Sequence, residues 1–285
     1  MNTYNLGGHS GCQIYLIEDD EGNTFVRKIS KDAEYNARLK MQCEKQASFQ
    51  GEYIKTPKVL VNGITKDGLF YFDMEYVQGI TLAKYIQTVE IGKVKGLIST
   101  LVKNLVPKSI SIQDGNHAVE IFSKKIKSLK SCLDSYDNKI IKKSLELLEK
   151  HNWSKFTPTQ CHGDMTLENI IVKNDTLYFI DFLDSFYDSW ILDMGTLLQD
   201  VQVMWSYRFQ KDVEMNTVLR LIVFRDLLLE EIKEINPDYV LEIYYSLLQK
   251  LIRIYPYIKD EFTYEFLNKK TALVLEIVHN LEQNS

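Results

Sequence analysis

The sequence predicts an α+β fold, with a small antiparallel sheet and one helix over residues 1–76 and a larger, mainly helical part over 77–285. Three observations carry this reading. The first part holds β-prone runs separated by turn residues, with one helical pattern among them. From Thr81 onward, apolar residues recur at helical spacing. Between the helical stretches, Cys161 to Phe182 holds a polar turn and two short apolar β-type runs.

The elements follow in order. Leu6-Gly7-Gly8-His9-Ser10-Gly11 is a glycine-rich turn ahead of the β-prone run Gln13 to Ile17. Such a turn admits unusual dihedrals and can aim peptide N–H groups at phosphate oxygens; it also suits an ordinary hairpin turn. Asp19-Asp20-Glu21-Gly22-Asn23 supplies the next turn, and Thr24 to Ile29 resumes strand character, which makes a hairpin. In that return strand Lys28 shares a face with Val26 and opposes Arg27. A helix is expected from Asp32, a candidate N-cap, to about Phe49, packing on a Leu39, Cys43, Ala47 stripe. Glu44 sits beside that stripe, placed either to reach inward to a lysine or to be solvated, and Glu34 competes for the same role. Pro57 to Val61 and Gly68 to Tyr76 read as two more strands.

Asp73 to Gly79 then forms a strand, a polar break and a glycine, as a linker would. Helices are expected near 81–88, 117–134, 138–151, 190–206, 213–234 and 237–283, the last broken around Pro256. Val218 to Leu229 is apolar on more than one helical face, which predicts burial on most sides.

Composition narrows the class. The chain has 285 residues, 45% of them hydrophobic and 26% charged, the balance of an ordinary globular protein. A net charge of −5 argues against a general nucleic-acid binder. The four cysteines have no metal-ligand spacing and read as reduced thiols. Neither a signal peptide nor a membrane span is visible, so a cytoplasmic location is expected.

The chemistry is concentrated in Cys161-His162-Gly163-Asp164 to Asn169 and in Ile180-Asp181-Phe182. The spacing H-x-D-x-x-x-x-N followed by I-D-F supplies a carboxylate to receive a hydroxyl proton, and an amide and second carboxylate to hold Mg²⁺. The glycine turn, a strand lysine, a mid-helix glutamate and a β-to-α crossing precede it in workable order.

In this order and text, the chain resembles the aminoglycoside phosphotransferase and choline kinase superfamily, from the first turn to at least Asp193. The resemblance implies a bilobal protein-kinase-like fold with ATP in the cleft. It implies that Asp164 is the catalytic base, that Asn169 takes part in catalysis and, with Asp181, ligates Mg²⁺. Lys28 would contact the α and β phosphates and pair with Glu44. Gly7, Gly8, Ser10 and Gly11 would cover the phosphates, and the backbone near Glu75 and Val77 would meet the adenine. His162 would brace the loop. Only eleven residues separate Asp181 from Asp193, too few for a protein-kinase activation segment, so the acceptor is expected to be a small molecule.

For the acceptor, Leu183 to Trp190 with Glu168, Trp205 and Tyr207 mixes carboxylates and aromatic rings. That mixture suits an aminoglycoside, a quaternary amine such as choline, or a sugar; the tryptophans equally suit a core. The stretch Ile180 to Trp205 resembles small-molecule kinases of surface-polysaccharide synthesis. A nucleotide-binding module without turnover is the competing class, and oligomeric state is not legible.

Overall fold

In the computed structural model, residues 2–7, 11–107 and 115–284 are described, so Gly8 and Ser10 of the glycine turn lie outside the described residues. Contacts sort the chain into two compact units. One comprises Met1–Leu82 with His162–Asp164 and Glu168–Ser185; the other comprises Ala83–Cys161, Met165–Leu167 and Phe186–Ser285. This grouping differs from a single cut after residue 76, because strands formed late in the sequence join the first unit.

The first unit opens with β1 (Asn2–Asn5), β2 (Gln13–Glu18) and β3 (Thr24–Ile29), followed by α1 (Asn36–Ser48) and β4 (Ile54–Lys55). Next come β5 (Val59–Ile64), β6 (Phe70–Glu75) and β7 (Ile80–Thr81). Five strands pair antiparallel in the order β1-β2-β3-β6-β5. One face buries Cys12, Val26, Phe70, Phe72 and Met74 together with Leu39 and Cys43 of α1. The expected helix begins four residues late. Asp32 accepts from Tyr35 N–H at 2.8 Å in the turn before it, while the Asn36 side chain bonds Gly68 O and Phe70 N–H, both at 2.8 Å. Its buried positions are Leu39, Gln42, Cys43 and Gln46, whereas Ala47 is exposed.

A second sheet explains the late segments. The hairpin β8 (Ile170–Lys173) and β9 (Thr176–Phe179) turns at Asn174 and Asp175, whose φ values of 49° and 58° are left-handed. Two successive left-handed residues form the tight turn that matches strand twist. β8 pairs with β7, and β9 pairs in parallel with β4, giving the order β4-β9-β8-β7.

The second unit is helical: α2 (Leu82–Thr88, from its second residue), α3 (Ile91–Leu105), α4 (Gly115–Leu133), α5 (Lys139–Lys150) and α6 (Trp190–Val201). It ends with α7 (Met215–Ile235), α8 (Asp238–Ile254) and α9 (Glu261–Gln283), the last two separated at the turn around Pro256. All twelve residues of α6 are buried, as is the run Glu242 to Ile252 of α8. Burial on most sides was expected for α7. Instead α7 buries Thr217, Leu221, Phe224, Leu228 and Ile232 on one face, and leaves Leu219 47% exposed. Among the described residues, no helix is long and apolar enough to cross a membrane.

Candidate active site

Strand alternation in β3 separates its two basic residues. Arg27 points away and makes a two-pronged pair with Asp73, both bonds 2.7 Å, its guanidinium lying 4.5 Å above the Tyr71 ring. Lys28 points to the Val26 face and is 2% exposed, so its ammonium needs a partner. Among the described residues it meets the Asp181 carboxylate, in direct contact, and Gln42 Oε1 at 3.4 Å.

The strand-end segment that delivers Asp181 is laced to the H-G-D turn. His162 is fully buried; its Nε2 donates to Ile180 O at 2.7 Å, and its Nδ1 accepts from Asp164 N–H at 3.2 Å. A carbonyl only accepts and a peptide N–H only donates, so these bonds fix the imidazole tautomer. The ring also packs 4.4 Å from that of Phe182. Leu183 N–H donates to His162 O at 3.1 Å, and Ile180 N–H to Asn169 O at 3.0 Å. Gly163 has φ of +92°, and a Cβ there would meet Leu183 O and come within 2.7 Å of Ser185 Oγ, so only glycine fits. Asp181 itself has φ of +60°, a conformation that aspartate tolerates better than most residues.

Asn169 completes the set. Its amide N–H₂ donates to Asp164 O at 2.9 Å and to Asp164 Oδ2 at 3.2 Å, so the amide nitrogen faces Asp164 and Oδ1 is the acceptor end. Asn169 Oδ1 and the Asp181 carboxylate, 38% exposed, are hard oxygen donors suited to Mg²⁺. Among the described residues, no group of three or more His, Cys, Asp and Glu is placed to hold a metal ion. An ion at this pair would therefore complete its shell from phosphate and water.

Helix α1 corrects one expectation. Glu44 does not reach Lys28: its side chain is 64% exposed and lies 3.9 Å from Lys40, one helical turn away. Glu34 is exposed as well. Helix rotation carries residue 42 inward instead, and sequence reasoning missed it. Gln42 Nε2 donates to Tyr35 Oη and to Asp184 Oδ1, both at 3.1 Å. Arg38 Nε donates to the same Asp184 oxygen at 2.7 Å, and this bond raises the guanidinium pKa. Lys45 Nζ donates to Leu183 O at 2.9 Å. Residues 38, 42 and 45 follow helical spacing, so this polar stripe was the available signal.

Gly7 and Gly11, on either side of residues 8–10, have φ of +70° and +78°, and Gly7 N–H donates to Asn5 Oδ1 at 2.8 Å. At the end of β6, Glu75 N–H donates to Lys58 O at 2.9 Å, and its carboxylate accepts from Lys58 N–H at 3.2 Å. Val77 is buried.

The proposed acceptor aromatics are mostly committed elsewhere. Trp190 is fully buried, edge-on to Tyr239 at 5.1 Å. Tyr187 donates to Phe156 O at 2.6 Å and Tyr207 to Ala83 O at 2.5 Å. Trp205 carries the Arg208 guanidinium 4.1 Å above its ring.

The sequence matches the APH phosphotransferase enzyme family over residues 5–219. None of the curated proteins matches the chain in sequence. Among solved structures, it is similar to a thermostable mutant of aminoglycoside phosphotransferase APH(4)-Ia in a ternary complex with AMP-PNP and hygromycin B. That likeness has a TM-score of 0.61 at 11% identity, covering 96% of this chain and 93% of the other. The GDP and kanamycin complex of APH(2")-IIia gives a TM-score of 0.60 at 14% identity, over 100% and 94%. Amicoumacin kinase hAmiN with AMP-PNP, Ca²⁺ and Ami gives 0.54 at 12% identity, over 96% and 88%. At these identities the likeness shows a shared fold.

Proposed function

As a member of the APH phosphotransferase enzyme family, the chain is a small-molecule phosphotransferase, and we propose that it moves the γ-phosphate of ATP to a hydroxyl group with Mg²⁺ bound. One observation carries the reading. Lys28 pairs with Asp181, 153 residues away, and Asn169 pairs with Asp164; the backbone bond from Ile180 N–H to Asn169 O ties the two pairs together within one compact unit.

Each residue has a task that its surroundings support. Asp164 accepts the proton of the acceptor hydroxyl, held in place by Asn169 and by the turn that His162 braces. Asn169 Oδ1 and Asp181 hold the metal ion. The chemistry such an ion would supply there is positive charge against the phosphates as negative charge spreads over them. Lys28 transfers its contact from Asp181 to the α and β phosphates. Gly7, Gly8, Ser10 and Gly11 cover the phosphates, and the backbone near Glu75 and Val77 receives the base. The reaction belongs in the cytoplasm, where ATP is abundant.

The acceptor is a sugar, an amino alcohol or an aminoglycoside. The engagement of Trp190, Tyr187 and Tyr207 removes the support for an aromatic cage around a quaternary amine, and Arg208 already covers one face of Trp205. A sugar hydroxyl, as in precursors of surface polysaccharides, remains consistent with the carboxylates present. Solved relatives that carry hygromycin B or kanamycin support testing aminoglycosides as well.

The test is nucleotide consumption, with ATP and GTP, against a panel of these acceptors. Asp164→Ala should abolish transfer while nucleotide binding persists. Mg-ATP binding with no turnover on any acceptor would favour the competing reading, a nucleotide-binding module.

A further inference from the structure

We propose that Gln42 is the positioning residue for Lys28, and that Asp184 and Arg38 hold Gln42 in that role. The inference rests on the phosphotransferase reading of Lys28. Among the described residues, no acid of α1 contacts this lysine: Glu44 is 64% exposed and Glu34, ahead of the helix, lies at the surface. Gln42 is 2% exposed, and both ends of its amide are used. Its oxygen accepts from Lys28 Nζ at 3.4 Å, while its nitrogen donates to Asp184 Oδ1 and Tyr35 Oη, both at 3.1 Å. The Arg38 bond to the same Asp184 oxygen at 2.7 Å fixes the far end.

The chemistry of an amide matters at this place. Asp181 is the carboxylate paired with Lys28, and it is also the proposed metal ligand. A neutral Gln42 steers the ammonium without holding its charge, so Lys28 is free to leave Asp181 for phosphate when nucleotide and metal arrive. A glutamate would reverse two things at once. It would bring a second carboxylate to an ammonium that must move. It would also lose the N–H donor to Asp184 and set two carboxylates against each other in a part-buried place. A carboxylate at position 42 is therefore harmful here, the opposite of what an interior lysine–glutamate pair on this helix would require.

The experiment measures Mg-ATP binding, KM for ATP and kcat in the unaltered protein, in Gln42→Glu, in Asp184→Asn and in the two combined. Loss of one charge-assisted hydrogen bond predicts a rise in KM of about tenfold for Gln42→Glu, with kcat at saturation changed far less. The combined variant should recover part of the loss, because the amide introduced at position 184 would then donate to the carboxylate introduced at position 42, while that carboxylate still faces Lys28. Gln42→Leu, which bonds neither partner and adds no charge, should raise KM similarly and carries the test if Gln42→Glu fails to fold. Gln42→Glu or Gln42→Leu with the unaltered KM overturns the proposal, as does no recovery in the combined variant. An unaltered protein that fails to bind Mg-ATP overturns the phosphotransferase reading itself. A protein that turns over but is indifferent to residue 42 overturns only the role of Gln42.

Discussion

Replacing Asp200 by asparagine should cost stability and slow the reaction, although Asp200 lies 36 residues beyond Asp164 in sequence. Asp200 is fully buried in the last turn of α6. Oδ2 accepts from Leu167 N–H at 2.7 Å, and Oδ1 accepts from Ser206 N–H at 2.9 Å and Ser206 Oγ at 2.8 Å. Asparagine keeps the shape but replaces one acceptor oxygen with a donor, so an N–H₂ faces a peptide N–H. Losing a charge-assisted bond and leaving a buried donor unpaired is worth about 2 kcal/mol. For a chain of this size that corresponds to a fall in Tm of roughly 3–4 °C. Leu167 lies between Asp164 and Asn169, so a slackened loop also lowers kcat at saturating nucleotide. Thermal melts with parallel kcat measurements check both effects. A variant that melts within about 1 °C of the unaltered protein would refute the reasoning, because Leu167 N–H would then have another partner.

Asp181→Ala should weaken nucleotide binding in the presence of Mg²⁺ far more than in its absence, which a metal titration of nucleotide affinity measures; equal weakening in both would remove the metal-ligand role. Gly163→Ala should destabilise by roughly 3 kcal/mol or more, from left-handed strain and the collision with Leu183 O and Ser185 Oγ, as read from urea midpoints. Burial pushes the Cys43 thiol up to about 11 while Cys132 is exposed, so a thiol reagent near pH 8 should label Cys132 first. Mass spectrometry of the folded and unfolded chain would show Cys43 reacting only after unfolding.

The sequence was legible where pattern and environment agree. The β2–β3 hairpin, the alternation of Arg27 and Lys28, and the H-G-D and I-D-F segments all lie where turn chemistry and strand period place them. Helix α3 was missed because Gly92 and Gly96 and several β-branched residues mask a regular buried stripe at Val94, Ile98, Leu101, Val102 and Leu105. Strand β1 is exposed at every residue and exists by pairing with β2, which leaves no burial pattern to read. The two-residue strands β4 and β7 are set by partners far along the chain. In α1, counting from Leu39 to Cys43 gave the right face but extended it to Ala47, and the true continuation is Gln42 and Gln46. Two buried glutamines look like surface residues until their hydrogen bonds are known. That misreading moved the partner of Lys28 from Gln42 to Glu44. Long apolar runs likewise hid which helix is central: α7 has more apolar positions than it buries, while α6 and α8 bury polar residues too.

The pairing of β4 with β9, Ile54 against Leu177, has a consequence for how the protein comes into being. A ribosome delivers Lys28 and its sheet long before it delivers the hairpin that carries Asp181. At about 5–20 residues per second, roughly a hundred residues of synthesis separate the end of β7 from Ser185, an interval of roughly 5–20 seconds. During that interval the emerging chain holds an interior lysine whose carboxylate partner does not yet exist, and an open strand at Ile54 and Lys55. Synonymous changes that slow translation between these points should therefore lengthen the exposure of that edge, and favour capture by chaperones, without altering one residue of the finished enzyme.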